Sequence, residues 1–257
     1  MQQQYLTFEH PLNERIRIFL RTEHLFELVS FRFNSLNSAW DTRDCASGII
    51  ELYNLIERTE FRSELLKEIE RNINGLQRLA VTAAVNHQAL NKIIHDLESA
   101  SDTIKTYSSK QGFFPKDSDL LNALRQRLTI PGGTCSFDIP AFHYWLYLPL
   151  KIRQQYILHW MEIFEPLERA LTLILKLIRQ STMPTQEIAA SGSFQRALSS
   201  QTHQLIRVLL RLDLGAYPEI SANKHRVNIR FLSAQFDHGK TILSDQDIPF
   251  ELTVCTI

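Results

Sequence analysis

Glycine and proline are scarce in this chain of 257 residues. The sequence contains Gly 8 and Pro 9, together about 7% of the chain against a typical ~12%. So few turn-forming residues argue against a loop-rich all-β protein and favour long helices. Cysteine is also rare, because Cys45, Cys135 and Cys255 are the only ones. Their odd number and wide spacing argue against a disulfide framework and a zinc site.

The chain also has no excess of positive or negative charge. Lys+Arg 28 and Asp+Glu 28 balance to a formal net charge of zero, whereas general polyanion binders are usually strongly basic. The first ten residues lack the basic and apolar regions of a signal peptide. The most apolar run, residues 170–178, is interrupted by Lys176 and is far shorter than the ~20 residues of a membrane span. We therefore expect a cytosolic protein without a membrane segment.

Motifs of known enzyme chemistry are absent too. The sequence has no GxGxxG, Walker, GxSxG or HExxH pattern. No two histidines have the spacing of three or four residues that places two metal ligands on one helix face. We expect no catalytic site, no metal and no cofactor. One enzyme alternative remains open around Cys135, Asp138 and His143, and only their proximity in sequence motivates it.

Helical periodicity dominates the first two thirds of the chain. Apolar residues recur every three or four positions from Pro11 onward, which predicts a first helix with Pro11 in its first turn. A fifth, short helix is expected after an N-cap at Asp117 or Ser118. The other predicted helices cover residues 47–58, 61–79, a stretch from about 86, 150–164 and 166–180. Residues 134–138 are a candidate short strand.

After Pro184 the apolar period changes to two. Alternation in 205–212, 226–232 and 250–254 predicts strands of a small antiparallel sheet. The fold class is therefore α+β, with a mainly helical domain over 1–182 and a β-rich domain over 183–257. The turn region 131–140 is a candidate to pair with the sheet.

Arginines share one face on each of two predicted strands. If both strands turn their apolar faces toward one core in one sheet, these arginines emerge together on its outer face. Exposed Leu205 and Leu209 beside them favour a peptide over bare phosphate. A solvated, non-functional sheet face is the alternative. The candidate anion-binding residues are Arg207, Arg211, Lys224, Arg226 and Arg230.

Several segments resemble the ZapD family, which is associated with the FtsZ division ring. They are FEHPLNERIR near the start, RSELLKEIER, RQRLTIPGGTCSFDIPAFHYWL, ALTLILKLIRQS, and YPEIS followed by HRVNIRF. The resemblance covers nearly the whole chain. It implies cytosolic, non-enzymatic homodimers with a helical and a β-rich domain. Such proteins bind the C-terminal tail of FtsZ and bundle its protofilaments at midcell.

The resemblance also implies roles for particular residues. Matching positions for tail binding are Arg58, Arg226 and Arg230, so two lines of reasoning meet on the last two. A further basic surface for bundling is implied at Arg21, Arg125, Arg127 and His143. No nucleic acid or membrane is an expected partner. The alternative from a different functional class is a nucleic-acid adaptor that uses the same arginine-rich face.

Overall fold

The computed structural model describes residues 4–58, 60–79, 86–110, 118–128, 130–199, 202–233 and 242–256. The chain divides into two compact units. The β unit comprises Met1–Ile18 and Leu175–Ile257, and the helical unit is Phe19–Ile174. The fold is α+β, as the sequence predicts.

Long helices build the helical unit. The helices are α1 Glu14–Asn34, α2 Ala39–Arg58, α3 Phe61–Leu79, α4 His87–Lys110, α5 Asp119–Arg127, α6 Pro140–Leu146, α7 Leu150–Glu162 and α8 Glu165–Arg179. Ser118 is the N-cap of α5, since its hydroxyl accepts a hydrogen bond from Leu121 N–H at 3.3 Å; Asp117 lies outside the described residues. The predicted bounds of α3 agree with the structure, whereas α2 begins eight residues before the predicted Ser47.

The segment between α5 and α6 consists of turns. A Cβ on Gly133 would lie 2.0 Å from the carbonyl oxygen of Arg127. That oxygen also accepts the N–H of Ile130 at 3.0 Å. Only glycine permits this close approach of two backbone segments. The predicted strand at 134–138 and the predicted pairing of 131–140 with the sheet are both wrong, because these residues form hydrogen-bonded turns within the helical unit.

Two antiparallel sheets, not one, form the β unit. The strands are β1 Tyr5–Pro11, β2 Thr185–Ala189, β3 Ser193–Ala197, β4 His203–Arg211, β5 Ala216–Ala222, β6 Arg226–Ser233 and β7 Ile248–Thr256. The four-stranded sheet has the order β1-β4-β7-β2, and the three-stranded sheet has the order β3-β6-β5. The three predicted strands are present as β4, β6 and β7.

The two sheets pack face to face around one core. Ile206 and Val208 of β4 are fully buried in the same apolar cluster as Val227 and Phe231 of β6. Across the sheets, the rings of Phe231 and Phe250 lie 4.9 Å apart. Side chains alternate along a strand, so the polar positions of β4 and β6 point out of opposite sides of this sandwich.

The N-terminal strand was missed by sequence reasoning. Residues 5–11 pair with residues 205–211 of β4, from Tyr5 opposite Arg211 to Pro11 opposite Leu205. Pro11 therefore ends a strand and does not begin a helix, and α1 starts at Glu14. The chain divides differently from the predicted 1–182 and 183–257, because this strand places the N-terminus in the β unit.

Candidate functional site

Two exposed arginines lie on the outer face of the three-stranded sheet. Arg226 of β6 is opposite Ala197 of β3. Arg230 lies between Ser193 of β3 and Glu219 of β5. Both arginines are exposed, while the alternate residues of β6 are buried. The two guanidinium groups therefore leave the same face of one strand, with their Cα atoms roughly 13 Å apart along it.

The turn before β6 adds further basic groups. Asn223 shapes this turn, since its Oδ1 accepts hydrogen bonds from the N–H groups of His225 (2.9 Å) and Arg226 (3.0 Å). Its own N–H donates to the Arg226 carbonyl at 3.0 Å. Asn favours such local bonds. As a result, the exposed Lys224 and His225 directly precede Arg226.

Acidic partners are few on this face. Arg230 Nη1 and Glu219 Oε2 are 3.9 Å apart, and both side chains are more than half exposed. Such a pair contributes little to stability. Among the residues that the structure describes, no carboxylate pairs with Arg226 or Lys224. This end of β6 therefore carries three exposed cationic side chains. We call Lys224, Arg226 and Arg230 the basic β6 face.

Arg207 is on the other side of the sandwich. Its Nε donates to Glu9 Oε1 at 2.7 Å. Arg179, at the end of α8, donates to the same carboxylate through Nε (2.9 Å) and Nη2 (2.8 Å). Burial raises the pKa of Glu9, but the hydrogen bonds and charges of Arg179 and Arg207 outweigh it and lower that pKa below its ordinary value. Glu9 is therefore an ionised bridge between two arginines.

Arg211 is also engaged by an acid. Its Nε donates to Asp213 Oδ1 at 3.0 Å, and its Nη2 donates to Oδ2. The hydrogen bond from Arg211 lowers the pKa of Asp213, and the same bond raises the pKa of Arg211. Both outward arginines of β4 thus have carboxylate partners within the β unit.

The predicted convergence of the arginines is wrong. Arg207 and Arg211 do share a face, and so do Arg226 and Arg230, but β4 and β6 belong to different sheets. A shared core between the sheets directs the two pairs away from each other. Leu205, expected to be exposed beside Arg207, is fully buried opposite Pro11 and Cys255, and Leu209 is half-buried.

The basic residues of the helical unit have local partners. Arg21 of α1 pairs with Glu51 of α2. Arg125 of α5 pairs with Glu57 of α2, and its Nε also donates to Asn54 Oδ1 at 3.1 Å. Arg58 is the last residue of α2, and its side chain lies outside the described part of the chain. These pairs connect α2 to α1 and to α5.

Asp138, which precedes α6, forms an ion pair. Arg127 Nη1 donates to Asp138 Oδ1 at 2.8 Å. His143 is exposed on α6, with its ring 5.0 Å from that of Tyr147. Asp138 is thus held by Arg127, while its backbone N–H donates to the Cys135 carbonyl at 3.0 Å. Within the described ranges no side-chain hydrogen bond joins Asp138 to His143 or Cys135. Across those ranges, no group of at least three His, Cys, Asp or Glu residues is arranged to hold a metal ion.

Sequence reasoning missed Glu9 as the partner of Arg207 and Arg179 as the second arginine that binds Glu9. Glu9 precedes Arg207 by 198 residues, and Arg179 follows Glu9 by 170. No local pattern marks these pairs. The only available signal was the alternation of Tyr5 to Glu9, which is masked by the helical pattern that follows it.

Comparison with known proteins places this arrangement in a family. The family model described as "ZapD: Cell division protein" matches residues 20–230. The chain belongs to the ZapD family. A full-length relative, the cell division protein ZapD of Methylococcus capsulatus, is 35% identical over 98% of each chain. ZapD of Ralstonia pickettii is 37% identical over 97% of this chain and 99% of its own. ZapD of Klebsiella pneumoniae is 35% identical over 96% and 98%.

Membership in the ZapD family assigns this chain a role in cell division. The family match includes the whole of β4 and the arginines of β6. None of the described helices combines the length and apolar character that crossing a membrane requires.

Proposed function

We propose that this chain is a cytoplasmic division factor that binds the C-terminal tail of FtsZ on the basic β6 face. As a homodimer it would then cross-link FtsZ protofilaments and promote assembly of the ring at midcell. The observation that carries the proposal is the sorting of charge in the β unit. Arg207 and Arg211 are held by carboxylates, whereas Lys224 and Arg226 have no acidic partner among the described residues.

The basic β6 face suits an acidic peptide. Guanidinium groups bind carboxylates through paired hydrogen bonds. Arg226 and Arg230 are on the same face of one strand, four residues apart, so an extended peptide can meet both with side chains of one face. Between them Asn228 is half-buried and adds an amide donor and acceptor. Contacts of this kind are exposed to solvent, so a single site is expected to be weak and salt-sensitive.

Two copies of such a site account for cross-linking. In a dimer, binding of the first tail raises the effective concentration at the second site, which converts weak affinity into avidity for filaments. We assign the bundling contribution to Arg21, Arg125, Arg127 and His143 of the helical unit. Three of these are arginines in ion pairs that are at least partly exposed. An acidic filament surface can compete for such arginines.

Tail binding is tested with a labelled peptide of the FtsZ C-terminus. Replacing Arg226→Ala together with Arg230→Ala is expected to raise Kd at least ~10-fold, because each lost charged contact is worth about 1–2 kcal/mol. The matched control is Arg169→Ala with Arg196→Ala, which removes the same charge from arginines paired with Glu165 and Glu187. Equal affinity of the two double variants would remove the basic β6 face as the site.

Bundling is tested separately by pelleting of FtsZ filaments. Arg21→Ala with Arg127→Ala should reduce pelleting while leaving peptide affinity unchanged, since both residues belong to the helical unit. Sedimentation velocity on the same sample reports whether the protein is a dimer. Pelleting by a protein that sediments as a monomer would contradict the cross-linking mechanism.

The nucleic-acid alternative requires a track of several phosphate contacts. The β unit offers no single face that carries Arg207, Arg211, Arg226 and Arg230 together. Binding to DNA with a logarithmic salt slope steeper than about −5 would nevertheless favour that alternative over the tail-binding proposal.

A further inference from the structure

A cleft opens on the outer face of the four-stranded sheet, away from the basic β6 face. Its volume is about 130 Å³. It is lined from β1, β4, β7 and the segment after α8, and its polar lining residues include Thr7, Arg179, Thr182, Arg207 and Thr253. All of them belong to the β unit.

The guanidinium group of Arg207 lines this cleft. It holds Glu9 only through Nε, at 2.7 Å, and its Nη1 and Nη2 donate to no described residue. A guanidinium can bind one carboxylate along its Nε side and a second one end-on through the two Nη atoms. Glu9 occupies the first position and also orients the group, because Arg179 fixes Glu9 from the other side.

Three threonine hydroxyls lie around the cleft. The hydroxyls of Thr7, Thr182 and Thr253 make no hydrogen bond with the residues that the structure describes. Thr253 is only 7% exposed and is opposite Arg207 in the sheet register. Nearly buried hydroxyls usually have a partner, so the Thr253 hydroxyl is suited to donate a hydrogen bond to a bound carboxylate oxygen.

The other wall of the cleft restricts the charge of a ligand. Glu251 lines it and accepts a hydrogen bond from Gln186 Nε2 at 2.7 Å. A second negative charge nearby disfavours a phosphate dianion. Leu209, opposite Glu251 in the register, gives the cleft an apolar part. A cleft of about 130 Å³ is well below the ~300–1,000 Å³ of typical ligand pockets, so it suits a small group such as a short-chain carboxylate.

We propose that this cleft binds a single aliphatic carboxylate end-on to Arg207, with hydrogen bonds from the threonine hydroxyls. The group is carried either by a free short-chain acid or by an acidic side chain of a peptide. The cleft is independent of the tail-binding proposal, because it is on the opposite outer face of the sandwich from Arg226 and Arg230.

The test is a titration of the full chain with sodium acetate and sodium propionate, followed by NMR shifts of backbone amides. Ionic strength is held constant with chloride. The expected result is saturable shifts at residues of β1, β4 and β7, with Kd on the order of millimolar, as the few heavy atoms of the probe allow. Shifts that stay linear with concentration, or tighter binding of inorganic phosphate than of acetate, would overturn the proposal.

Two variants locate the site. Arg207→Lys keeps the charge but loses the fork, and we expect Kd to rise at least ~10-fold; Arg196→Lys is the control and should change nothing. Thr253→Val keeps the shape and the Glu9 bridge, and we expect a rise of at least ~3-fold. Unchanged affinity in Thr253→Val, a variant that leaves the ion cluster intact, also counts against the site.

The source of the carboxylate is decided by two capped tripeptides, with Asp or with Asn at the centre. Binding of the Asp peptide at the same amides, tighter than acetate, indicates a peptide ligand. Binding of acetate without the Asp peptide indicates a free acid. Neither result depends on FtsZ, and the Arg226→Ala, Arg230→Ala protein is expected to bind acetate normally. The two proposals can therefore fail independently of each other, because each has its own probe and its own variants.

Discussion

The Glu9 bridge provides the sharpest test of how the β unit is held together. Glu9→Gln keeps the size of the side chain and removes its charge. The carboxylate is 17% exposed, and the side chains of Arg179 and Arg207 are 24% and 29% exposed. Without the carboxylate, two half-buried guanidinium groups face each other unneutralised. We expect a loss of about 2–3 kcal/mol, between the ~0–1 of an exposed pair and the ~3–5 of a broken buried pair.

The effect must also depend on pH in a definite direction. The folded state lowers the pKa of Glu9 below its ordinary value of 4.5. A group with a lowered folded pKa stabilises the protein fully above its unfolded pKa and loses that contribution as pH falls through the folded pKa. The difference between the wild type and Glu9→Gln is therefore complete at neutral pH. This difference in stability decreases as the pH falls below 4.5, the ordinary pKa of the carboxyl group, and through the lowered pKa of Glu9 in the folded protein.

Urea unfolding at neutral and acidic pH measures both effects. Tryptophan fluorescence reports only the helical unit, because Trp40, Trp145 and Trp160 all belong to it. Far-UV circular dichroism and hydrogen exchange of residues 203–211 report the β unit. The control is Glu14→Gln, whose partner Arg17 and own side chain are mostly exposed. An equal loss in both variants, or a loss in Glu9→Gln that is unchanged in acid, would refute the buried-bridge explanation.

Two further substitutions test backbone geometry. Gly133→Ala places a Cβ 2.0 Å from the carbonyl of Arg127, and we expect a loss of more than ~3 kcal/mol in fluorescence-detected unfolding, since the clash is with backbone; a loss under ~1 kcal/mol would contradict it. Ser191→Asn should stabilise the β2–β3 turn by about 0.5 kcal/mol, because Ser191 has φ 44 and precedes Gly192 with φ 71, where Asn-Gly is preferred. A lower urea midpoint of Ser191→Asn than of the wild type, measured by circular dichroism, would contradict this prediction.

Local periodicity predicted the elements that carry their own pattern. The stripe of α3 and the alternation of β4, β6 and β7 are present where the sequence indicates them. Strand β1 was missed because its pairing with β4 connects residues about two hundred positions apart. Sequence periodicity contains no information on such a distant partner, and Pro11 is equally compatible with the start of a helix.

The sequence predicts which way the arginines of the candidate site point, but not which sheet each of them belongs to. Alternation assigns Arg207 and Arg226 to the side of their strands that faces away from the core, and the structure confirms this for both. It does not say which sheet a strand joins. The same alternation fits a single sheet over a core and two sheets that enclose a core between them. In a single sheet the arginines of β4 and β6 would converge, whereas in two sheets they point in opposite directions.

The neutral total charge has a structural explanation that follows from this division. On the four-stranded sheet, Glu9 and Asp213 neutralise the arginines of β4 within the sheet and at its end. On the three-stranded sheet, the weak contact of Arg230 with Glu219 is the ion pair found among the described residues of its outer face. Equal numbers of acids and bases therefore do not cancel everywhere. Among the described residues the arginines of β4 have acidic partners on one side of the sandwich, whereas Lys224 and Arg226 have none on the other. A local cationic end of this kind suits the small acidic partner that we propose, whereas a long polyanion needs an extended basic track.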